Sequence, residues 1–173
     1  MSIWYGANVA DESELRLCGD VAGKRVIELG IAQVNAATPN SVTAAVAGAK
    51  SMVLDPDPQS IASVRAAAEQ ADVKVECHQG ELADLGFATS ASVDLVVASH
   101  TLASVDDLPR LLRQVHRVLK PGAPFVVAIQ HPVAAMFGGH DHTATAAYGA
   151  NSTTFTELYM SFERSNFRLD VIH

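Results

Sequence analysis

Short runs of β-branched and other apolar residues alternate along the chain with stretches whose apolar positions recur at helical spacing. The strands that this pattern predicts are residues 25–29, 51–54, 73–77, 93–98, 125–129 and 167–172. Runs that are apolar throughout, such as 93–98, are typical of central strands in a parallel sheet that is covered on both faces. The alternation therefore predicts an α/β fold with a doubly wound, mostly parallel sheet.

Helix signals lie between the predicted strands. Asp57 followed by Pro58 indicates a helix start, because aspartate caps the first amides and proline fits the first turn. Residues 106–120 place leucines and valines on one side of a helix and arginines on the other, and the sequence Lys-Pro-Gly that begins at Lys120 ends it. A last helix is predicted over residues 154–164, after a loop of roughly two dozen residues, longer than usual connections.

Composition and charge limit the class of protein. A chain of 173 residues, 49% of them hydrophobic, fits one domain that buries a core, so residues 1–173 are interpreted as a single domain. The net charge of −7 provides no basic field for a phosphate backbone, and no nucleic acid is expected as a partner. The apolar runs are too short for a bilayer, and no signal peptide is recognisable, so a cytoplasmic protein without membrane attachment is expected.

The residue types that often hold metals or form cross-links are sparse. Cys18 and Cys77 lie far apart in the sequence and do not suggest a disulfide framework, so we expect buried thiols in a reducing compartment. His140 and His142 are two imidazoles in one loop, but no third and fourth ligand follow at a recognisable spacing. No metal site is predicted.

Five short motifs follow one another in a familiar order. They are VIELG at 26–30, VLDP at 53–56, GELADL at 80–85, VDLVV at 93–97 and LKPG at 119–122. Together they resemble the signature of class I S-adenosylmethionine-dependent methyltransferases, in particular bacterial members of the type 11 kind. The resemblance runs from about residue 12 to residue 172, and it also implies a helix over 14–17. It implies a Rossmann-like sheet with S-adenosylmethionine across the carboxyl ends of strands one to four, and methyl transfer to a small-molecule acceptor.

The resemblance assigns cofactor contacts to residues that follow the first four strands. Asp55 would accept hydrogen bonds from both ribose hydroxyls, and Glu81 would receive the adenine amino group. The full set that the family pattern implies is Glu28, Gly30, Ala32, Asp55, Pro56, Glu81, Leu82 and Ser99. Two alternatives stay open, because Asp55 lies among turn formers that suit a turn or cap, and Glu81 equally suits an exposed loop.

The glycine-rich loop departs from the family pattern. Its second and third glycine positions are occupied by Ala32 and Val34, and the spacing from Gly30 to Asp55 is a few residues longer than usual. An isopropyl group at Val34 would crowd a backbone that packs against a ligand. This favours an alternative function, a non-catalytic descendant that has lost the cofactor and serves as a binding or assembly module. A nicotinamide-dependent oxidoreductase is more distant, because no Gly-x-Gly-x-x-Gly follows the first strand.

Candidate catalytic and acceptor-side residues come from strand ends and the N-terminus. His100 leaves strand four and His131 leaves strand five, where an imidazole can take a proton from an acceptor at neutral pH. A lone histidine at a strand end is more often a hydrogen-bonded structural residue, and that alternative stays open for both. Trp4 and Tyr5 are predicted to line the substrate, as the resemblance implies, or to close one end of the core by packing.

The sheet edge carries the last prediction. The resemblance implies a seventh, antiparallel strand between strands five and six, and this sequence shows none after the predicted sixth strand. Without that strand, strands five and six expose unpaired backbone groups. We therefore expect a partner chain, such as a second copy in a homo-oligomer, a rearranged edge, or mobility beyond residue 129.

Overall fold

The computed structural model describes residues 2–6, 9–32 and 38–129. Its strands are β1 (Arg25–Leu29), β2 (Lys50–Asp55), β3 (Val75–Gln79), β4 (Leu95–Ser99) and β5 (Phe125–Ala128). Its α-helices are α1 (Glu12–Leu15), α2 (Asn40–Val46), α3 (Pro58–Gln70) and α4 (Leu108–Val118). A single 3₁₀ turn, Leu102–Ser104, follows β4.

The five strands form an all-parallel sheet in the order β3-β2-β1-β4-β5. The α/β, doubly wound arrangement predicted from the sequence is confirmed. The strand order reverses between β1 and β4, so the carboxyl ends of these two strands lie side by side, with that of β2 next to β1. Open α/β sheets bind ligands at such a reversal.

Alternate residues of the strands face two layers of helix. On one face, Ile27 and Leu29 pack in the same cluster as the apolar side of α4. On the other face, Val26 packs with Tyr5 and with Ala44 of α2, while α3 packs over Val53. β4 is buried along its whole length, as its continuous apolar run predicts.

The start of β3 lies two residues later than predicted. The alternation of Val73, Val75 and Cys77 indicates a strand from residue 73, but the amide of Val73 donates to Ala68 O (3.0 Å) and so closes the turn after α3. Asp72 has a φ of 53°, which turns the chain at that point. Val75 is therefore the first residue available for pairing, and it pairs with Ser51.

The start of β4 also lies two residues later than predicted. Val93 forms an isolated bridge with Leu119, and the carboxylate of Asp94 accepts from Arg25 N (2.9 Å) and from Lys120 Nζ (2.5 Å). Partial desolvation raises the pKa of Asp94, but the hydrogen bonds from Lys120 and Arg25 outweigh it and hold that pKa below its ordinary value. Asp94 thus ties the entrance of β1 to the turn before β5.

Two helices start where the sequence predicts. Asp57 caps α3 by accepting from Gln59 N (3.1 Å) and Ser60 N (3.0 Å), and Pro58 occupies the first turn. Asp107 caps α4 by accepting from Arg110 N (2.9 Å). Helix α4 is therefore slightly shorter than the 106–120 stretch whose periodicity predicts it.

The two helices on either side of β1 differ from the sequence prediction. The expected helix over 14–17 lies instead at Glu12–Leu15, because Asp11 caps its start and Arg16 ends it in the left-handed conformation (φ 52°). The pattern does not predict α2, because residues 31–49 contain no charged side chain that would mark an outer face.

Several predictions lie outside the described residues and stay predictions. They concern the helix over 154–164, the strand over 167–172, the sheet edge beyond β5, and Val34, His131, His140 and His142. Cys18 and Cys77 are both free, the first buried and the second partly buried. Within the described part of the chain, no helix is long and apolar enough to cross a membrane.

Candidate functional site

The carboxylate of Asp55, the last residue of β2, joins two loops at the carboxyl edge of the sheet. Its Oδ2 accepts from Ile31 N (2.6 Å), just beyond β1, and its Oδ1 accepts from Asp57 N (2.8 Å). The residue is 6% exposed. Because a carboxylate offers roughly four lone-pair positions, these two bonds leave acceptor capacity on both oxygens. The side chain faces the loop that follows β1.

Gly30 ends β1 in a conformation that favours glycine, with a φ of 72°. Its amide donates to Leu54 O (2.8 Å). A Cβ at this position would lie 2.6–3.0 Å from three side-chain atoms of Thr101, which leaves β4. Thr101 Oγ1 also donates to Leu29 O (2.5 Å). The missing side chain therefore makes room for Thr101, which packs across the point where the strand order reverses.

Glu28 is the second acidic residue near this edge, and its partners belong to α2. Its Oε1 accepts from Asn40 N (3.1 Å) and its Oε2 from Ser41 N (2.7 Å), so it caps a helix whose own N-cap residue is Pro39. Burial raises the pKa of Glu28, hydrogen bonds from the start of α2 oppose the shift, and the Asp55 carboxylate adds to it. Glu28 thus fixes the end of the loop between β1 and α2.

The exit of β3 lies beside that of β2. Gly80 N donates to Asp55 O (3.2 Å), so Glu81 begins a loop next to the candidate ribose carboxylate. Glu81 and Pro56 are exposed, whereas Leu82 is buried in the core. The exposure of Glu81 is compatible with both roles that the sequence leaves open.

Arg117, a residue of α4, holds the loop after β3 by hydrogen bonds. Its guanidinium donates to Leu85 O (2.8 Å) and Ala88 O (2.9 Å) and also contacts Gln114 Oε1. This one side chain therefore joins two main-chain carbonyls of the loop to α4. The loop that carries Glu81 therefore takes its conformation partly from α4.

The exit of β4 meets the N-terminal segment. Ser99 is 4% exposed, and its hydroxyl donates to Trp4 O (3.1 Å). Asn40, the first residue of α2, accepts from Trp4 N (2.8 Å) and donates to Trp4 O (2.8 Å). The sequence assigns Trp4 and Ser99 to the site. The structure shows that Asn40, which the sequence does not assign to it, joins the two.

His100 is exposed at the same edge, next to Trp4. The two ring centroids are 6.3 Å apart and tilted by 51°. The main chain of His100 has a φ of 58°, and its amide donates to Ala128 O (2.7 Å), which fixes its backbone to the end of β5. An exposed imidazole in this position can contact a ligand bound at the carboxyl edge of the sheet.

Tyr5 is fully buried, unlike its neighbour Trp4. Its hydroxyl donates to Glu12 and lies 3.0 Å from Cys18 Sγ. Burial, with Cys18 and Glu12 nearby, raises the pKa of Tyr5 well above its ordinary value, and burial raises the pKa of the Cys18 thiol to about 12. The structure thus places Tyr5 in the core, where the packing role left open by the sequence applies.

A separate groove of about 280 Å³ lies on the N-terminal side of the molecule. It is lined by residues that precede β1 and by the second half of α2, so it lies toward the amino ends of the strands. Open α/β sheets bind ligands at the carboxyl ends of their strands. The carboxyl edge, which carries Asp55, Ser99 and His100, is therefore the better candidate for a site. No group of three or more metal-binding side chains occurs among the residues that the structure describes.

Comparison with known families identifies the family to which this chain belongs. The family model described as a methyltransferase domain matches residues 34–127, a little more than half of the chain. This chain belongs to the methyltransferase domain family. The match begins within the loop after β1 and ends within β5, so it contains Asp55, Glu81 and His100 but not Gly30.

Proteins similar to this chain match it over different lengths. The mouse mitochondrial arginine-hydroxylase NDUFAF5 is 54% identical over 46 residues, which are 27% of this chain and 11% of that protein. A solved S-adenosylmethionine dependent methyltransferase from Mesorhizobium loti is 29% identical, with a TM-score of 0.55 over 68% of this chain and 52% of that chain. A solved methyltransferase from Aquifex aeolicus shares the fold at 15% identity, with a TM-score of 0.65 over 91% and 79% of the two chains.

These similarities confirm the Rossmann-like methyltransferase fold that the sequence motifs predict. The matched part corresponds to about half the length of the Mesorhizobium loti structure and to about a tenth of the mouse protein. The structure brings the cofactor-side candidates Gly30, Asp55 and Glu81 to one edge. The sequence did not identify Asn40 or Thr101, whose contacts depend on which strand exits become neighbours.

Proposed function

We propose that this methyltransferase-family chain binds S-adenosylmethionine and transfers its methyl group to a small-molecule acceptor. The observation that carries the proposal is the Asp55 carboxylate, fixed by Ile31 N and Asp57 N with acceptor capacity left on both oxygens. A ribose presents two neighbouring hydroxyl donors, and such a carboxylate matches them. Family membership and the 29% identity to an S-adenosylmethionine dependent methyltransferase support this choice of cofactor.

The proposed cofactor position follows the exits of four neighbouring strands. Residues after β1 would adjoin the methionine part, those after β2 the ribose, those after β3 the adenine, and Ser99 the boundary with the acceptor. These residues are Gly30 and Ala32, Asp55 and Pro56, Glu81 and Leu82, and Ser99. Glu28 contributes indirectly, because both of its oxygens are engaged by the start of α2.

The proposed acceptor side lies at the exits of β4 and β5. The cofactor supplies a methyl group activated by the positive sulfur. The acceptor's lone pair would bond to the methyl carbon as the carbon–sulfur bond breaks and releases S-adenosylhomocysteine. His100 and His131 are the candidates to take the proton that the acceptor loses. Trp4 would hold the acceptor by contact with its ring, and alignment alone supplies a large part of the acceleration in such reactions.

A second candidate function is a binding or assembly module that keeps the fold without using the cofactor. It is favoured by the side chains at Ala32 and Val34, where the family has glycine. It is also consistent with a family match that starts only at residue 34. The two candidates differ in one measurable property, the affinity for the cofactor.

Calorimetric titration with S-adenosylmethionine and with S-adenosylhomocysteine tests the proposal. We expect saturable heat for both ligands, and we expect Asp55→Ala to weaken binding by at least about tenfold, because two hydrogen bonds to a charged acceptor are lost. Asp57→Ala is the matched control, since it removes a carboxylate from the same turn. Asp57 caps α3, so its loss weakens the start of that helix but leaves the ribose position intact.

The outcomes separate the two candidates. Binding that is lost in Asp55→Ala and kept in Asp57→Ala supports the proposed cofactor position. Binding that is equally strong in both variants would place the ligand elsewhere. No heat for either ligand with the wild-type chain would reject the enzyme and leave the module as the better account.

A further inference from the structure

Asn40 makes an unusual contact for a residue that begins a helix. Its side-chain amide satisfies both main-chain groups of Trp4, accepting from Trp4 N (2.8 Å) and donating to Trp4 O (2.8 Å). Asn40 is 6% exposed, so water competes little for these bonds. A planar amide that pairs with both groups of one residue holds it much as a neighbouring strand would. Segment 2–6, which has no helix or strand of its own, is docked in this way.

The end of β4 adds a second attachment. The hydroxyl of Ser99 donates to Trp4 O (3.1 Å), and Asn40 Nδ2 lies 3.3 Å from the same hydroxyl. Three polar groups therefore share one buried network, in which each of the described donors and acceptors is matched. Buried networks of this kind are rigid, because every alternative position leaves a polar group without a partner.

Two residues of the docked segment, Trp4 and Gly6, lie next to the imidazole of His100. The indole of Trp4 lies against the imidazole, with 6.3 Å between the ring centroids. Gly6 lies so close that a Cβ there would overlap Nε2 of the imidazole. Because the imidazole is otherwise exposed, its orientation depends on where residues 4–6 lie.

We propose that Asn40 is a positioning residue, which fixes the imidazole of His100 by holding Trp4. Asn40 does not touch the reacting atoms and acts only through its neighbours. The relevance of this arrangement to methyl transfer rests on the proposed function. The arrangement of the Trp4 and His100 rings does not depend on that function, and it can be measured without any ligand.

The side chain of Asn40 is separable from its role in α2. The bond between Asn40 and Glu28 uses the main-chain amide of Asn40, so it survives a substitution. Asn40→Ala therefore removes the contacts with Trp4 and Ser99 while the cap of the helix remains. Ser41→Ala is the matched control, because Ser41 is buried at the next position of the same helix and its side chain has no described hydrogen bond to Trp4 or Ser99.

Indole fluorescence gives the first test, since Trp4 is the only tryptophan in the chain. For Asn40→Ala we expect a loss of fluorescence anisotropy and stronger quenching by acrylamide than in the wild type. Asn40→Asp should lie between the two, because it keeps an acceptor for Trp4 N and loses the donor to Trp4 O. Ser41→Ala should match the wild type. Wild-type anisotropy and quenching in Asn40→Ala would overturn the proposal.

The imidazole itself gives the second test, by proton NMR of the histidine rings. The His100 signals are assigned with His100→Gln, and Trp4→Leu defines their shift when the neighbouring indole is absent. We expect Asn40→Ala to move them toward the Trp4→Leu positions even though Trp4 is still present, and Ser41→Ala to leave them in place. Unmoved signals would refute the positioning role. If Asn40→Ala does not fold, Asn40→Asp carries both tests.

The two proposals fail in different experiments. Absence of cofactor binding in the calorimeter rejects the proposed function and leaves the spectroscopic result on Asn40 standing. Unchanged spectra in Asn40→Ala reject the positioning role even in a chain that binds S-adenosylhomocysteine.

Discussion

Glu28 in β1 and Asp55 at the end of β2 are two buried carboxylates on neighbouring strands. They are 5% and 6% exposed, and each accepts two main-chain hydrogen bonds. The partners of Glu28 are successive amides of one helix start, whereas those of Asp55 belong to two separate loops. Glu28 is thus committed to holding α2 on the sheet, and Asp55 lies between loops at the edge where ligands bind.

The difference shows what separates a structural acid from a candidate binding acid. Burial and the number of main-chain hydrogen bonds are nearly the same for both residues, so neither quantity distinguishes them. The position of the partners does, because only Asp55 joins loops that border the reversal of strand order. Substitutions that affect stability and ligand affinity unequally will test this distinction.

The largest effect is expected from Glu28→Ala. Removing this carboxylate leaves the buried amides of Asn40 and Ser41 without acceptors, and we expect a loss of about 3 kcal/mol in the free energy of unfolding. Urea denaturation measures it. Glu69→Ala, an exposed residue of α3, is the control and should stay within about 0.5 kcal/mol of the wild type. Equal stability of the two variants would show that Glu28 does not support α2.

An intermediate effect is expected from Gly30→Ala. The positive φ and the overlap with Thr101 should together cost about 2 kcal/mol of stability. The change also displaces Ile31 N from Asp55, so the affinity for S-adenosylhomocysteine should fall as well.

Thr101→Gly provides the matching variant for this experiment. It removes the side-chain atoms that the new methyl group would meet, so the double variant should be more stable than the sum of the two single changes predicts. Thermal melts of the four proteins give the coupling. Strict additivity would mean that the strain at Gly30 lies in the backbone alone.

The smallest effect is a pH dependence that belongs to Glu28. Burial raises its folded-state pKa above the ordinary value of 4.5. Its contribution to stability is therefore complete below that value and is lost as the pH rises through the raised pKa. We expect the stability difference between the wild type and Glu28→Gln to shrink as the pH rises from about 4.5 to 8. A flat curve for Glu28→Gln would contradict the shift.

Local patterns predicted much of the fold. The apolar run bounded by Gly23 and Gly30 predicts β1 with the bounds that the structure has, and the Asp57 cap predicts the start of α3. Signals of this kind lie within a few residues of the element that they define. The start of β3 was misplaced because the competing signal, the closure of the turn after α3, is a hydrogen bond of Val73 that alternation does not reveal.

The candidate site was less predictable for a physical reason. The family motifs locate Asp55 and Ser99, since strand exits can be read from apolar runs. The partners that fix these residues come from far along the chain. Asn40 meets Trp4 36 positions away and Ser99 59 positions away, and Thr101 meets Leu29 across 72. Such contacts follow from the strand order, which no local pattern contains.

Arg117 has a consequence for any attempt to alter this protein. Its guanidinium reaches from the last turn of α4 to the carbonyls of Leu85 and Ala88, in the loop that Glu81 begins. Substitutions along α4 that shift the side chain of Arg117 will therefore change the conformation of the loop that Glu81 begins, although none of them touches a ligand. Sequence variation on a helix away from the strand exits can in this way reshape the loop where the proposed function places the adenine.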